Sequence, residues 1–129
     1  MIKGIHHIAI KCENSEQFEK VIEFYKDILG MPILRSWGEG EGTGMMLDTG
    51  AGVMEIFASG GDELGYGSVR HFALACDDVD GCINAVRDAG YEITMEPTDI
   101  VIPAEVPYPA RIAFCIGAAG EEIEFFCEK

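Results

Sequence analysis

Residues 6–33 read HHIAIKCENSEQFEKVIEFYKDILGMPI, and residues 70–93 read RHFALACDDVDGCINAVRDAGYEI. Laid over one another, they are two copies of one plan. Each begins with a short apolar strand, passes a polar or acidic cap, runs through an amphipathic helix, stops at a glycine and enters another strand. In the first copy Phe18, Val21, Ile22, Tyr25, Ile28 and Leu29 recur at helical spacing, with Ser15 as N-cap and Gly30 as the stop. In the second, Val79, Cys82, Ile83 and Val86 form the stripe, Asp77 or Asp78 caps it, and Gly90 ends it.

The copies also end alike. Residues 52–58, GVMEIFA, match residues 121–127, EEIEFFC, each a strand with a carboxylate in its middle. Between helix and last strand each half has room for two more strands, at about 32–37 and 45–49 in the first and about 91–95 and 111–116 in the second. The expected fold is therefore α+β: one domain over residues 1–129, built from two tandem βαβββ modules at about 1–62 and about 67–129. The glycine-rich SGGDELGYG at residues 59–67 joins them. Residues 96–110, EPTDIVIPAEVPYPA, hold four of the five prolines and read as a loop or an irregular edge rather than a helix. The run WGEGEGTGMM at 37–46 reads as a flexible connection, with a second reading in which Trp37 closes over a substrate.

Composition narrows the function. A chain that is 48% hydrophobic has enough apolar material for a core. The net charge of −14, from 23 acidic and 9 basic residues, argues against a nucleic-acid or anionic-membrane surface, which needs clustered Lys and Arg. No apolar run approaches the roughly eighteen residues of a membrane span, and the N-terminus lacks a signal-peptide core, so a cytoplasmic location is expected. Cys12, Cys76, Cys82, Cys115 and Cys127 are odd in number, form no C-x-x-C and lie in apolar segments, which suits free thiols rather than disulfides or a zinc knuckle.

The repeat decides between the two adjacent histidines, since His7 aligns with His71 whereas His6 aligns with Arg70. Strand alternation puts His7, Ala9 and Lys11 on one face, and His71, Ala73 and Ala75 on the equivalent face. The large residues opposite them must meet the helices, while alanines beside the histidines leave space for a cavity. Alternation also places His6 away from His7, as a surface or interface residue. In the last strands Glu55 shares a face with Val53 and Phe57, and Glu124 with Glu122 and Phe126. Two imidazoles and two carboxylates at equivalent positions of a duplicated unit make an octahedral metal site plausible. Without thiolate, that set suits Ni, Co, Mn, Fe or Zn, with two positions open for water or a substrate that chelates through neighbouring oxygens.

The stretches HHIAIKC, FEKVIEFYKDILGM, GVMEIF, RHFALACDDVD and GEEIEFF, in that order, resemble the vicinal oxygen chelate superfamily, which includes glyoxalase I, epimerases, fosfomycin-resistance proteins and extradiol dioxygenases. The resemblance covers nearly the whole chain and implies a cupped mixed sheet around a metal-site cavity. A His, Glu, His, Glu set most resembles glyoxalase I, and this implies His7, Glu55, His71 and Glu124 as ligands of one divalent ion. It further implies a homodimer whose sites take two ligands from each of two subunits. The implied activity is that of a lyase or isomerase moving a proton through a metal-stabilised enediolate on a 2-oxoaldehyde–thiol adduct. Glu124 is the expected base and Glu55 the other candidate. The thiol co-substrate would be glutathione or another thiol.

Lys11, Trp37, Phe57, Arg111 and Phe126 are the candidate substrate contacts, with Arg35 and Arg70 as further cations. Lys11 stands where glyoxalase I usually has Arg, and carries the charge without the bidentate geometry. The alternatives are an acyl-CoA epimerase of the same superfamily, which commonly has Gln in place of Glu55, and a bleomycin resistance-like binding protein, whose acidic surface suits cationic ligands.

Overall fold

The computed structural model describes residues 5–58, 71–103 and 106–129. The chain divides into two compact units, Met1–Gly65 and Tyr66–Lys129. The Gly-rich connection at 59–67 and Arg70 lie outside the described residues.

The first unit runs β1 (His7–Lys11), α1 (Ser15–Ile22), a π-helical continuation (Glu23–Ile28), β2 (Ile33–Trp37), β3 (Gly44–Asp48) and β4 (Val53–Phe57). Its four-stranded sheet has the order β1-β4-β3-β2, parallel between β1 and β4 and antiparallel elsewhere. Asn14 rather than Ser15 caps α1, its side chain accepting from the Gln17 N–H at 2.9 Å. Either residue type can cap; the boundary falls one position earlier because Asn14 has the extended backbone of an N-cap. Glycine supplies the positive φ that ends both helical segments, +75° at Gly30 and +88° at Gly90.

The helical spacing read from the sequence shifts within this segment. Leu29 N–H donates to the Phe24 carbonyl, five residues back, as a π-helix requires. The wider turn rotates Phe24 inward, so Phe24 and Tyr25 are both fully buried, with their rings edge to face. Regular 3.6-residue spacing leaves Phe24 off the stripe of Phe18, Val21, Ile22 and Tyr25. Leu47, Met54 and Ile56 of the sheet are also fully excluded from solvent.

The second unit runs β5 (His71–Ala75), α2 (Val79–Asp88), β6 (Ile93–Ile102), β7 (Tyr108–Ile116) and β8 (Glu122–Glu128), with sheet order β5-β8-β7-β6. Asp78, one of the two expected caps, accepts from the Gly81 N–H. Val79, Ile83 and Val86 of α2 are buried with Ile123, Phe125, Ala113 and Cys115 of the sheet. The βαβββ plan therefore forms twice.

The proline-rich stretch contributes more strand than its composition suggests. Residues 96–102 complete β6 and residues 108–110 begin β7. Pro97 is tolerated because β6 is an edge strand and the ladder shifts register between Met95 and Thr98, where no N–H is required of it. The irregular-edge alternative is the one realised there. The run at 37–46 holds a 3₁₀ turn at Gly40–Gly42.

Candidate metal centre

Pairing register decides which side chains meet on each sheet. In the first unit Ala9 lies opposite Glu55, and His7 lies opposite Val53. His7 and Glu55 are thus diagonal neighbours on one face, and Nε2 of His7 stands 3.3 Å from Oε2 of Glu55. The second unit repeats this placement: Ala73 is opposite Glu124, and Nε2 of His71 stands 3.2 Å from Oε2 of Glu124. Each pair combines a carboxylate largely shielded by its sheet, at 13% and 12% side-chain exposure, with an imidazole about 40% open to solvent. The alanines between them add no bulk.

The donor set fits a divalent ion. Two ligands each about 2.1 Å from a metal lie about 3.0 Å apart at right angles and about 3.4 Å apart at the tetrahedral angle. Both observed separations fall in that interval. Among the described residues no three His, Cys, Asp or Glu side chains gather at one point, so each unit presents one His–Glu pair. None of the five cysteines is in a disulfide, and burial pushes Cys76 and Cys115 up to about 12, protonated at neutral pH.

Two same-face rows cross the first sheet. Arg35, Met46, Glu55 and Ala9 form one; Trp37, Gly44, Phe57 and Lys11 form the next. Lys11, Trp37 and Phe57 therefore share the face of His7 and Glu55, and Arg35 joins them from the far edge. The Trp37 and Phe57 ring centroids are 6.0 Å apart. A Cβ on Gly44 would come within 2.3 Å of the Trp37 ring, so this glycine is what lets the indole lie on the sheet.

In the second unit Phe126 shares the Glu124 face, as alternation requires. Phe114, directly across from Glu124, packs its ring edge-on to His71 at 5.2 Å. Tyr108 stacks on Phe126 at 5.9 Å and donates to the Glu128 carboxylate. Neither Phe114 nor Tyr108 could be chosen from sequence, because alternation along β7 leaves open which face meets Glu124 until the β7–β8 register is known.

Arg111 requires a correction. It pairs in register with Cys127, on the face opposite Glu124. There it binds both carboxylate oxygens of Asp80 on α2 and, at 3.0 Å, Asp99 of β6. One residue of register turns a candidate substrate contact into a strut between helix and sheet. Arg111 holds the Asp80 carboxyl below the usual carboxylate range, and Lys129 with Arg111 does the same for Asp99. Because these pKa values are depressed on folding, the stabilisation is present above about pH 4 and fades as pH falls through the folded values. Arg111→Met is expected to lower the urea midpoint at pH 7, with the difference from wild type vanishing at strongly acid pH. Substrate KM should not move.

His6 is exposed, as expected of a surface residue, but it is not separated from His7. β1 begins at His7, so His6 precedes the strand and strand alternation does not govern it. Its Nδ1 lies 3.0 Å from Nδ1 of His7, with the two rings perpendicular.

No helix among the described residues is long and apolar enough to cross a membrane. No curated protein matches the chain. Solved structures do. The chain superposes on a glyoxalase/dioxygenase from Nostoc punctiforme with a TM-score of 0.73 at 17% identity, covering 98% of this chain and 92% of that one. A trypanothione-dependent glyoxalase I from Leishmania major gives 0.70 at 22% identity, covering 98% and 87%. A glyoxalase family protein from Enterococcus faecalis gives 0.69 at 24% identity, covering 96% and 97%. These likenesses establish a shared fold. Residues 4–105 match the family model described as Glyoxalase/Bleomycin resistance protein/Dioxygenase superfamily, and to that superfamily the chain belongs.

Proposed function

We propose that this chain is a metal-dependent, glyoxalase I-like lyase or isomerase acting on the adduct of a small 2-oxoaldehyde with a thiol. The observation that carries the reading is the duplicated His–Glu pair, His7 with Glu55 and His71 with Glu124, at matching register positions and nearly equal separations. The superfamily typically uses divalent metals. In this reading His7, Glu55, His71 and Glu124 hold one ion, and each site of a cytoplasmic homodimer takes one pair from each of two subunits. The bound ion supplies Lewis-acid stabilisation of negative charge on adjacent substrate oxygens.

The chain's own residues supply the rest. Glu124 takes the proton from the carbon beside the substrate carbonyl and returns it to the neighbouring carbon, with Glu55 as the alternative base. Its shielding by the sheet keeps competing water away from the transferred proton. Trp37, Phe57 and Phe126 offer apolar surface to the substrate body. Lys11 and Arg35 make no ion pair among the described residues, and in this reading they take the anionic end of glutathione or another thiol.

A second reading, a binding module for a small cationic ligand, is favoured by one feature. Where the first unit has Val53 and Lys11, the second has Glu122 and Ala75, so its face is acidic and lined by Tyr108, Phe114 and Phe126. One experiment separates these readings. Wild type reconstituted with Ni²⁺ or Zn²⁺ should retain about one ion per chain, and His71→Ala should lose it. Methylglyoxal mixed with glutathione or another low-molecular-weight thiol should then yield thioester, followed by ultraviolet absorbance. Failure of wild type to hold any metal overturns the enzyme reading. Metal binding without turnover of any such adduct overturns the lyase assignment and leaves the metal centre standing.

A further inference from the structure

The two candidate ligand histidines share a glutamate at Nε2 but differ in what faces Nδ1. In each, Nε2 faces the mid-strand glutamate. On the other side Nδ1 of His71 faces Glu122 at 4.0 Å, beyond hydrogen-bonding reach. The first unit has no such carboxylate, because the residue opposite His7 in register is Val53, where His71 has Glu122. The place beside Nδ1 of His7 is taken instead by Nδ1 of His6, at a hydrogen-bonding 3.0 Å.

This contact matters for an imidazole that must present a lone pair at Nε2. Such a ring carries its single hydrogen at Nδ1, and that N–H needs an acceptor to fix the ring's tautomer and its rotation about the Cβ–Cγ bond. A neutral His6 with its hydrogen on Nε2 offers an accepting Nδ1 at the required place. The perpendicular arrangement of the rings aims one nitrogen edge at the other. His7 has substantial solvent exposure at 41%, so packing alone does not immobilise it.

We infer that His6 is a positioning residue: its Nδ1 holds Nδ1 of His7, so that Nε2 of His7 stays turned toward Glu55 as a ligand. In the second unit the corresponding side of His71 has Glu122, too far for a direct hydrogen bond. The role as a ligand orienter rests on the metal-centre reading above, whereas the hold of His6 on His7 does not.

The test uses both levels. In the metal-free full-length protein, labelled with ¹⁵N at histidine, a scalar coupling across the hydrogen bond should link the two Nδ1 nuclei. It should vanish in His6→Ala. Titration with Co²⁺, followed by its visible absorption, should show affinity at least about tenfold weaker in His6→Ala. His6→Gln, whose side-chain oxygen also accepts, should recover much of that loss. The melting temperature of the metal-free variants should match wild type, which separates ligand orientation from folding. Absence of the coupling in wild type overturns the inference, as does Co²⁺ affinity in His6→Ala within twofold of wild type. If wild type takes up no Co²⁺, the metal-centre reading and the orienting role fall together, and the coupling alone decides whether His6 holds His7.

Discussion

Glu124→Gln is expected to reduce turnover of the thiol adduct by about 10²–10⁴-fold, the range associated with losing a positioned acid–base group. Glutamine preserves the volume of the side chain and its place on β8 but can neither take up a proton nor offer an anionic ligand. The fall should appear chiefly in kcat, measured on protein saturated with metal, and metal affinity should weaken as well. Stability should not fall. Glu124 is the one charged residue among the buried side chains described, and neutralising it removes the cost of keeping a carboxylate away from water. Loss of activity with an unchanged or raised melting temperature is the expected signature. A kcat within threefold of wild type would assign the proton transfer elsewhere, with Glu55 next to be tested.

The neighbouring position should behave in the opposite way. Phe125 follows Glu124 on the same strand, so its ring points to the other face, where it is 2% exposed among the buried residues of α2 and the sheet. Phe125→Ala removes most of a buried ring and leaves a cavity, at a cost of about 3–5 kcal/mol. Set against a total stability of roughly 5–15 kcal/mol for a domain, this is enough to shift the urea midpoint substantially or to leave the chain partly unfolded at 37 °C. The milder Phe125→Leu keeps most of the apolar volume and should cost less than Phe125→Ala. In that variant the folded fraction should bind metal as wild type does. Two consecutive residues would thus separate function from stability, one changing catalysis without destabilising and the other destabilising without changing the site. If Phe125→Leu also lost metal affinity, the two faces of β8 would not be independent.

The sequence by itself determined the duplicated plan. Helical spacing in residues 15–29 and 79–88 and two-residue alternation in the flanking strands are local periodicities that a chain carries without reference to its partners. Aligning the two copies was enough to choose His7 over His6, to match His71 with it, and to mark Glu55 and Glu124. Alternation within each strand then put Phe57 and Phe126 beside those carboxylates. What alternation cannot supply is the phase between strands.

Only the tertiary structure decided that Arg111 faces α2 and Asp80, that Phe114 rather than a neighbour lies across from Glu124, and that Arg35 shares the face of Glu55. Each depends on register, where a slip of one residue reverses the face of every side chain on the strand. The burial of Phe24 goes with one π-helical turn, which regular helical periodicity does not contain. And the contact of His6 with His7 depended on where β1 begins. Alternation separates two adjacent side chains only when both lie within the strand, and the extended ladder starts at His7.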